Sequence, residues 1–121
     1  MSKNILVVDD SASLRKVLRI TLTGAGYTVM EAEDGRSALA LLDGRTIHLA
    51  ICDLNMPNMN GIEFIRAAKT KPAYKYMPVL MLTTDNDDSK KAQGKEAGAK
   101  AWMLKPFSSA QVLSAVSKLS T

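Results

Sequence analysis

Four short apolar runs punctuate the chain: Ile5 to Val8, Tyr27 to Met30, Leu49 to Cys52 and Val79 to Leu82. Each is brief, rich in branched residues and bounded by polar or turn-forming positions, which is how strands buried on both faces read. A fifth, weaker run covers Ala101 to Leu104. Between the runs, apolar residues recur at helical spacing, first as Leu14, Val17, Leu18 and Leu22, then as Ala38, Leu39, Leu41 and Leu42, and finally as Val112, Leu113, Val116 and Leu119. Gly24, Gly26, Gly44 and Gly98 stand where helices should stop, and Asp34, Asn60 and Ser108 where helices should be capped. The poorest helical stretch is 86 to 97, with Ala92 and Ala97 as its main apolar anchors and Gly94 inside it. An interior glycine costs ~1 kcal/mol relative to alanine, so this helix is expected to be weakly held.

Strand and helix alternate five times, which predicts a single α/β domain with a parallel, doubly wound sheet covered on both faces and joined by right-handed crossovers. At 121 residues there is room for one hydrophobic core and not for two. With 46% hydrophobic and 23% charged residues the composition is that of an ordinary globular protein, and no apolar run approaches the ~20 residues that span a bilayer. The first residues show no signal-peptide pattern, and the lone Cys52 can form neither an internal disulfide nor a cysteine metal cluster. A cytoplasmic monomer is the resulting expectation, with Cys52 as core filling. The start at Met1 and the ending Leu119-Ser120-Thr121 favour a complete single-domain protein. The net charge of +4 raises the question of nucleic acid, but the basic residues are dispersed and the one tight cluster is Lys90, Lys91 and Lys95. Direct nucleic-acid binding is therefore not expected.

An open parallel sheet binds its ligands beyond the carboxyl ends of its strands. The residues in those places are Asp9 and Asp10, Asp53, Thr83 and Thr84, and Lys105 with Pro106. Any one of the aspartates, taken singly, reads more simply as a cap or loop residue. Three together are harder to dismiss, because two like charges ~4 Å apart repel by roughly 4 kcal/mol at an effective dielectric of 20, so the cluster wants a cation. Hard carboxylate oxygens suit Mg²⁺, and with no histidine or cysteine in the set zinc is disfavoured. A carboxylate beside Mg²⁺ is a competent nucleophile toward phosphorus, with a lysine and a hydroxyl placed to hold the phosphoryl oxygens.

Four pieces in this order, Val7-Val8-Asp9-Asp10, Asp53-Leu54-Asn55-Met56-Pro57-Asn58-Met59-Asn60-Gly61, Leu82-Thr83-Thr84 and Lys105-Pro106-Phe107, resemble the CheY-like response regulator receivers. The resemblance spans nearly the whole chain, 1–121. It implies five strands in the order 2-1-3-4-5 with five helices, and a phosphorylation switch that catalyses only its own phosphorylation and dephosphorylation. Asp53 would accept a phosphoryl group from the phosphohistidine of a CheA-like histidine kinase. Asp10 would ligate Mg²⁺ directly, Asp9 through water, and the Asn55 backbone carbonyl would complete the protein's share. Thr83 and Lys105 would grip the phosphoryl group, and the Lys105–Pro106 bond would be cis.

The same resemblance implies an output mechanism. Thr83 would move toward phosphorylated Asp53, and Trp102, at the family's aromatic switch position, would enter the vacated space and remodel the face made by the fourth helix, fifth strand and fifth helix. Tyrosine or phenylalanine is more usual there, and the bulk of tryptophan puts full inward burial in question. Asn55 and Asp85, two residues after Asp53 and Thr83, would tune phosphoryl lifetime. Lys90, Lys91 and Lys95 are candidates for steering a partner, with plain solubility as the simpler role. His48 opens the third strand, away from the acidic edge, and is not expected to relay phosphate.

The expected outputs are a flagellar motor switch protein or another chemosensory component first, a phosphorelay second, and a receiver excised from a longer regulator third. The rival from another class is an aspartyl-phosphate phosphatase or phosphotransferase resembling the haloacid dehalogenases. It needs a second acidic residue where Asn55 stands, and a cap for which this chain has no room. A flavodoxin-like nucleotide binder would need a glycine- and hydroxyl-rich phosphate loop in place of Asp9-Asp10.

Overall fold

In the computed structural model, which describes residues 3–84 and 88–120, five strands alternate with five helices: β1 (Asn4–Val8), α1 (Ala12–Gly24), β2 (Thr28–Ala32), α2 (Gly35–Leu41), β3 (Leu49–Asp53), α3 (Gly61–Lys69), β4 (Val79–Thr83), α4 (Asp88–Ala97), β5 (Ala101–Leu104) and α5 (Ser109–Leu119), with a 3-10 turn at Pro72–Tyr74 before β4. The strands form one parallel sheet in the order β2-β1-β3-β4-β5. That is the expected doubly wound architecture.

Alternation along the strands sorts the core into two layers. Leu6, Val8, Ala50, Cys52, Val79 and Met81 face α2, α3 and α4, and meet Ala38, Leu42, Ile62, Phe64, Ile65 and Ala68. Ile5, Val7, Leu49, Ile51, Leu80 and Leu82 face the other way, onto Leu18 and Leu22 of α1 and Val112 and Val116 of α5. Central strands buried on both faces need apolar residues at every position, and β3 and β4 are buried throughout. Among the described residues no helix is long and apolar enough to cross a membrane.

Asp34, Asn60 and Ser108 cap α2, α3 and α5 by accepting hydrogen bonds from the backbone N–H groups of Ser37, Glu63 and Gln111, and the last two caps are reciprocal boxes. Ser11, unmarked by the sequence pattern, caps α1 by accepting from Leu14. Gly26, Gly44 and Gly98 adopt positive φ after their helices.

Two local expectations are corrected. The second strand runs from Thr28 to Ala32 rather than from Tyr27 to Met30, because its pairing with β1 continues through Glu31 to Ala32. As an edge strand it tolerates the half-buried Glu31, whose carboxylate is paired with Arg15 and Arg19. In α4, Ala92 is exposed and no anchor, whereas Gly94 is the buried residue and Ala97 is half-buried. An added Cβ at Gly94 would lie 2.8 Å from Cζ3 of Trp102, so the helix presents a gap, not a side chain, to the sheet.

Candidate functional site

The carboxyl ends of β1, β3, β4 and β5 bring the polar residues together. Asp9 follows β1 and is 1% exposed, Asp53 ends β3 at 7%, and Thr83 ends β4 fully buried. Asp10 is exposed and forms the solvent-facing side of the cluster. Each of the three aspartates offers a carboxylate oxygen, and these oxygens lie within 4.8 Å of one another.

Lys105, one residue past β5, reaches into this cluster. Its Nζ donates to Asp9 Oδ2 at 3.1 Å and lies 3.4 Å from Asp53 Oδ1, so one ammonium sits between two buried carboxylates. The Lys105–Pro106 peptide is cis. Asp9 is fixed from three further sides: its Oδ1 accepts from the Ser11 N–H at 2.8 Å, its carbonyl accepts from Arg15 Nη1 at 2.5 Å, and its own N–H donates to the Ala32 carbonyl at 3.1 Å. Burial pushes the Asp53 carboxyl above the usual range and the Asp9 charge pushes it further, while Lys105 and the backbone N–H of Asn55 pull it back. Cys52 is a buried core residue whose thiol is raised well above its ordinary value by burial, then by the charges of Asp53 and Asp9.

The approach to Asp53 depends on Gly61. A Cβ there would stand 2.5 Å from the Asp53 carbonyl oxygen and 2.6 Å from Cε of Met81, so the start of α3 touches the end of β3 backbone to backbone. This contact is invisible to hydrophobic patterning, although the glycine follows the Asn60 cap that the sequence marks.

Thus Asp9, Asp10, Asp53, Thr83 and Lys105 share one edge, and Asn55 lies just beyond it with its backbone N–H turned to Asp53. Thr84 is exposed, and Asp85 lies outside the described residues. Arg15 was not anticipated; its position two helical turns' reach from the acidic pair, at the start of α1, was the available signal. His48 sits at the opposite end of the sheet, where its Nδ1 accepts from the Asn4 N–H at 2.9 Å.

Trp102 pairs with Met81 across β4 and β5, two residues short of the Thr83 level, and by alternation points to the same face as Thr83. Its ring lies beneath Gly94, and its buried indole N–H has no hydrogen-bond partner among the described residues. Lys91 and Lys95 line the small groove beside it, whereas Lys90, on the same helix, does not.

The three carboxylates fit Mg²⁺: they are hard oxygen donors from the ends of β1 and β3, one of them facing solvent, and among the described residues no histidine or cysteine joins them.

Comparison with known proteins agrees with this geometry. The model of the response regulator receiver domain matches residues 5–117. The chain is 36% identical to the chemotaxis protein CheY of Pseudomonas aeruginosa, over 90% of this chain and 88% of that one. It is 37% identical to the phosphate regulon transcriptional regulatory protein PhoB of the same organism, over 89% of this chain but 47% of the longer protein. The crystal structure of the Vibrio cholerae chemotaxis protein CheY4 superposes with a TM-score of 0.95 at 41% identity, covering 98% of this chain and 99% of the other. With the fold, the acidic edge and these relatives in agreement, the chain belongs to the response regulator receiver domain family.

Proposed function

We propose that the whole chain, 1–121, acts as one receiver domain that takes a phosphoryl group onto Asp53 from a histidine kinase and passes the change to a protein partner in chemotaxis. The observation that carries this reading is the single ammonium of Lys105 set between Asp9 and Asp53, with Asp10 beside them. Asp9, Asp10, Asp53 and the Asn55 carbonyl would hold Mg²⁺, which when bound neutralises charge on the phosphoryl oxygens.

The step is a displacement at phosphorus. An Asp53 carboxylate oxygen forms the new P–O bond as the P–N bond of the donor phosphohistidine breaks. The imidazole leaves with the electron pair of that bond, and leaves neutral when its other ring nitrogen carries a proton. Lys105 is positioned to move its ammonium from Asp53 to a phosphoryl oxygen, and Thr83 to donate its hydroxyl to another. Hydrolysis later restores the carboxylate. Such a protein is a signalling switch and turns over no metabolite.

Output is assigned to the face made by α4, β5 and α5, where Trp102, Lys90, Lys91 and Lys95 lie. A flagellar motor switch protein, or another chemosensory component, is the proposed partner, and the cytoplasm the site of action. The likeness to PhoB, of similar identity to that with CheY and covering a similar share of this chain, supports a second reading in which the chain is the receiver of a longer regulator.

Intact mass after incubation with Mg²⁺ and acetyl phosphate tests the acceptor. The wild type should gain one phosphoryl group and Asp53→Asn none; a gain that persists in the variant removes the reading. Capture of partners from cell extract with the beryllofluoride-activated protein then separates a motor protein from histidine phosphotransfer proteins.

A further inference from the structure

At the end of the sheet opposite the aspartates, a groove of about 640 Å³ opens below the amino ends of β4 and β5. Its lining is basic among the described residues, where Lys69, Lys75, Lys100 and Lys118 border it. A volume of this size lies in the range of small-molecule sites.

Lys69, the last residue of α3, is built into the wall. Its stem lies over Gly98, where a Cβ would come 3.1 Å from Lys69 Cε, and the positive φ of Gly98 further selects a residue without one. Its Nζ donates to the Met77 carbonyl. An ammonium has three donors, so others remain for a ligand. Burial and, next, the Lys100 ammonium hold the Lys69 pKa below its ordinary value, so the two ammonium groups lie close enough to feel one another.

The groove also carries an aromatic. Tyr76 is 86% exposed, and the Lys75 ammonium lies 5.6 Å from its ring centroid. A ring that exposed leaves a flat face open for stacking, and stacking of a base on an aromatic ring tolerates any base.

We propose that this groove binds a nucleotide, with its phosphates on Lys69 and Lys100 and its base on Tyr76. Charge recruits the phosphates and the tyrosine separates a nucleotide from inorganic phosphate or pyrophosphate, which share only the anionic part. The site is independent of the acidic edge and does not rest on phosphorylation of Asp53.

The test is calorimetric titration of the intact chain with ADP, pyrophosphate and a polyglutamate peptide, in buffer containing EDTA so that no metal bridges nucleotide to the aspartates. ADP should bind the wild type and Asp53→Asn alike. Lys100→Gln, at an exposed position that the fold does not need, should weaken ADP and pyrophosphate about tenfold, the loss of one charged hydrogen bond. Tyr76→Ala should weaken ADP about tenfold, the contribution of one stacked base, and leave pyrophosphate unchanged. Lys69→Gln should repeat the loss seen in Lys100→Gln. No ADP binding at millimolar concentration, binding indifferent to Lys100→Gln and Tyr76→Ala, or polyglutamate binding as tightly as ADP would each overturn the assignment.

Discussion

Gly94 of α4 and Trp102 of β5 occupy one another's space: the indole ring fills the place where any larger residue would put its Cβ, 2.8 Å from Cζ3. The glycine that weakens the helix is therefore also what seats the ring. A shift of this helix toward the sheet would meet the indole ring, so the positions of Gly94 and Trp102 constrain one another. The buried indole N–H, without a hydrogen-bond partner among the described residues, adds a polar group whose desolvation disfavours the present position of the ring.

Gly94→Ala should accordingly destabilise the protein by about 1 to 2 kcal/mol, the overpacking cost outweighing a helix-propensity gain of ~1 kcal/mol. In a Trp102→Ala background the same substitution should become stabilising by up to ~1 kcal/mol. Denaturant titration of the four proteins checks this; equal effects in both backgrounds would show that helix and ring are not coupled.

Gly61→Ala should act on the other side of the sheet's edge. The new Cβ collides with the Asp53 carbonyl at 2.5 Å, and backbone cannot yield as a flexible side chain does. A loss of about 2 to 4 kcal/mol is expected, with slowed phosphorylation of the folded fraction because Asp53 is displaced. Stopped-flow phosphorylation beside urea denaturation separates the two effects, and an unchanged rate would show that the contact only supports the fold.

Asp53→Asn should stabilise the metal-free protein. The folded pKa of Asp53 is raised, by burial first and by Asp9 second, so between its unfolded and folded values the native state holds the extra proton. Stability contributed by that proton is present at low pH and falls as pH rises through the window. The variant should thus exceed the wild type near neutral pH, by about 4 °C in Tm for each kcal/mol regained, and the gap should close below the carboxylate range and on adding Mg²⁺. Calorimetry with EDTA and with Mg²⁺ at several pH values measures it; a wild type more stable than the variant at neutral pH without metal would reverse the sign.

Much of this architecture is legible in the chain itself, for identifiable reasons. The strands β3 and β4 are buried on both faces and so must be continuously apolar, and the caps at Asp34, Asn60 and Ser108 announce themselves by residue type. The site is legible because a parallel sheet places the ends of distant runs side by side, which brings Asp9, Asp53 and Lys105 within reach although they are far apart in sequence. The end of edge strand β2 is hidden at Glu31, since hydrophobicity cannot report a charged residue made tolerable by two arginines. The contacts of Gly61 and Gly94 are hidden for a related reason: their contribution is the absence of a side chain, and only the neighbour, a carbonyl in one case and an indole in the other, reveals it. Arg15 likewise acquires its role from the Asp9 carbonyl it meets in space.

The sheet also separates charge. Acidic groups gather at the carboxyl ends of its strands and lysines at the amino ends below β4 and β5, so a chain of net charge +4 still carries a negative pole. A strand of five residues is roughly 17 Å long, about twice the ~8 Å over which physiological salt screens a field. Between groups that face solvent, salt therefore screens one pole largely from the other. A partner approaching in solution meets a small bar magnet rather than a uniformly basic sphere, and dilute salt should sharpen the orientation in which it arrives.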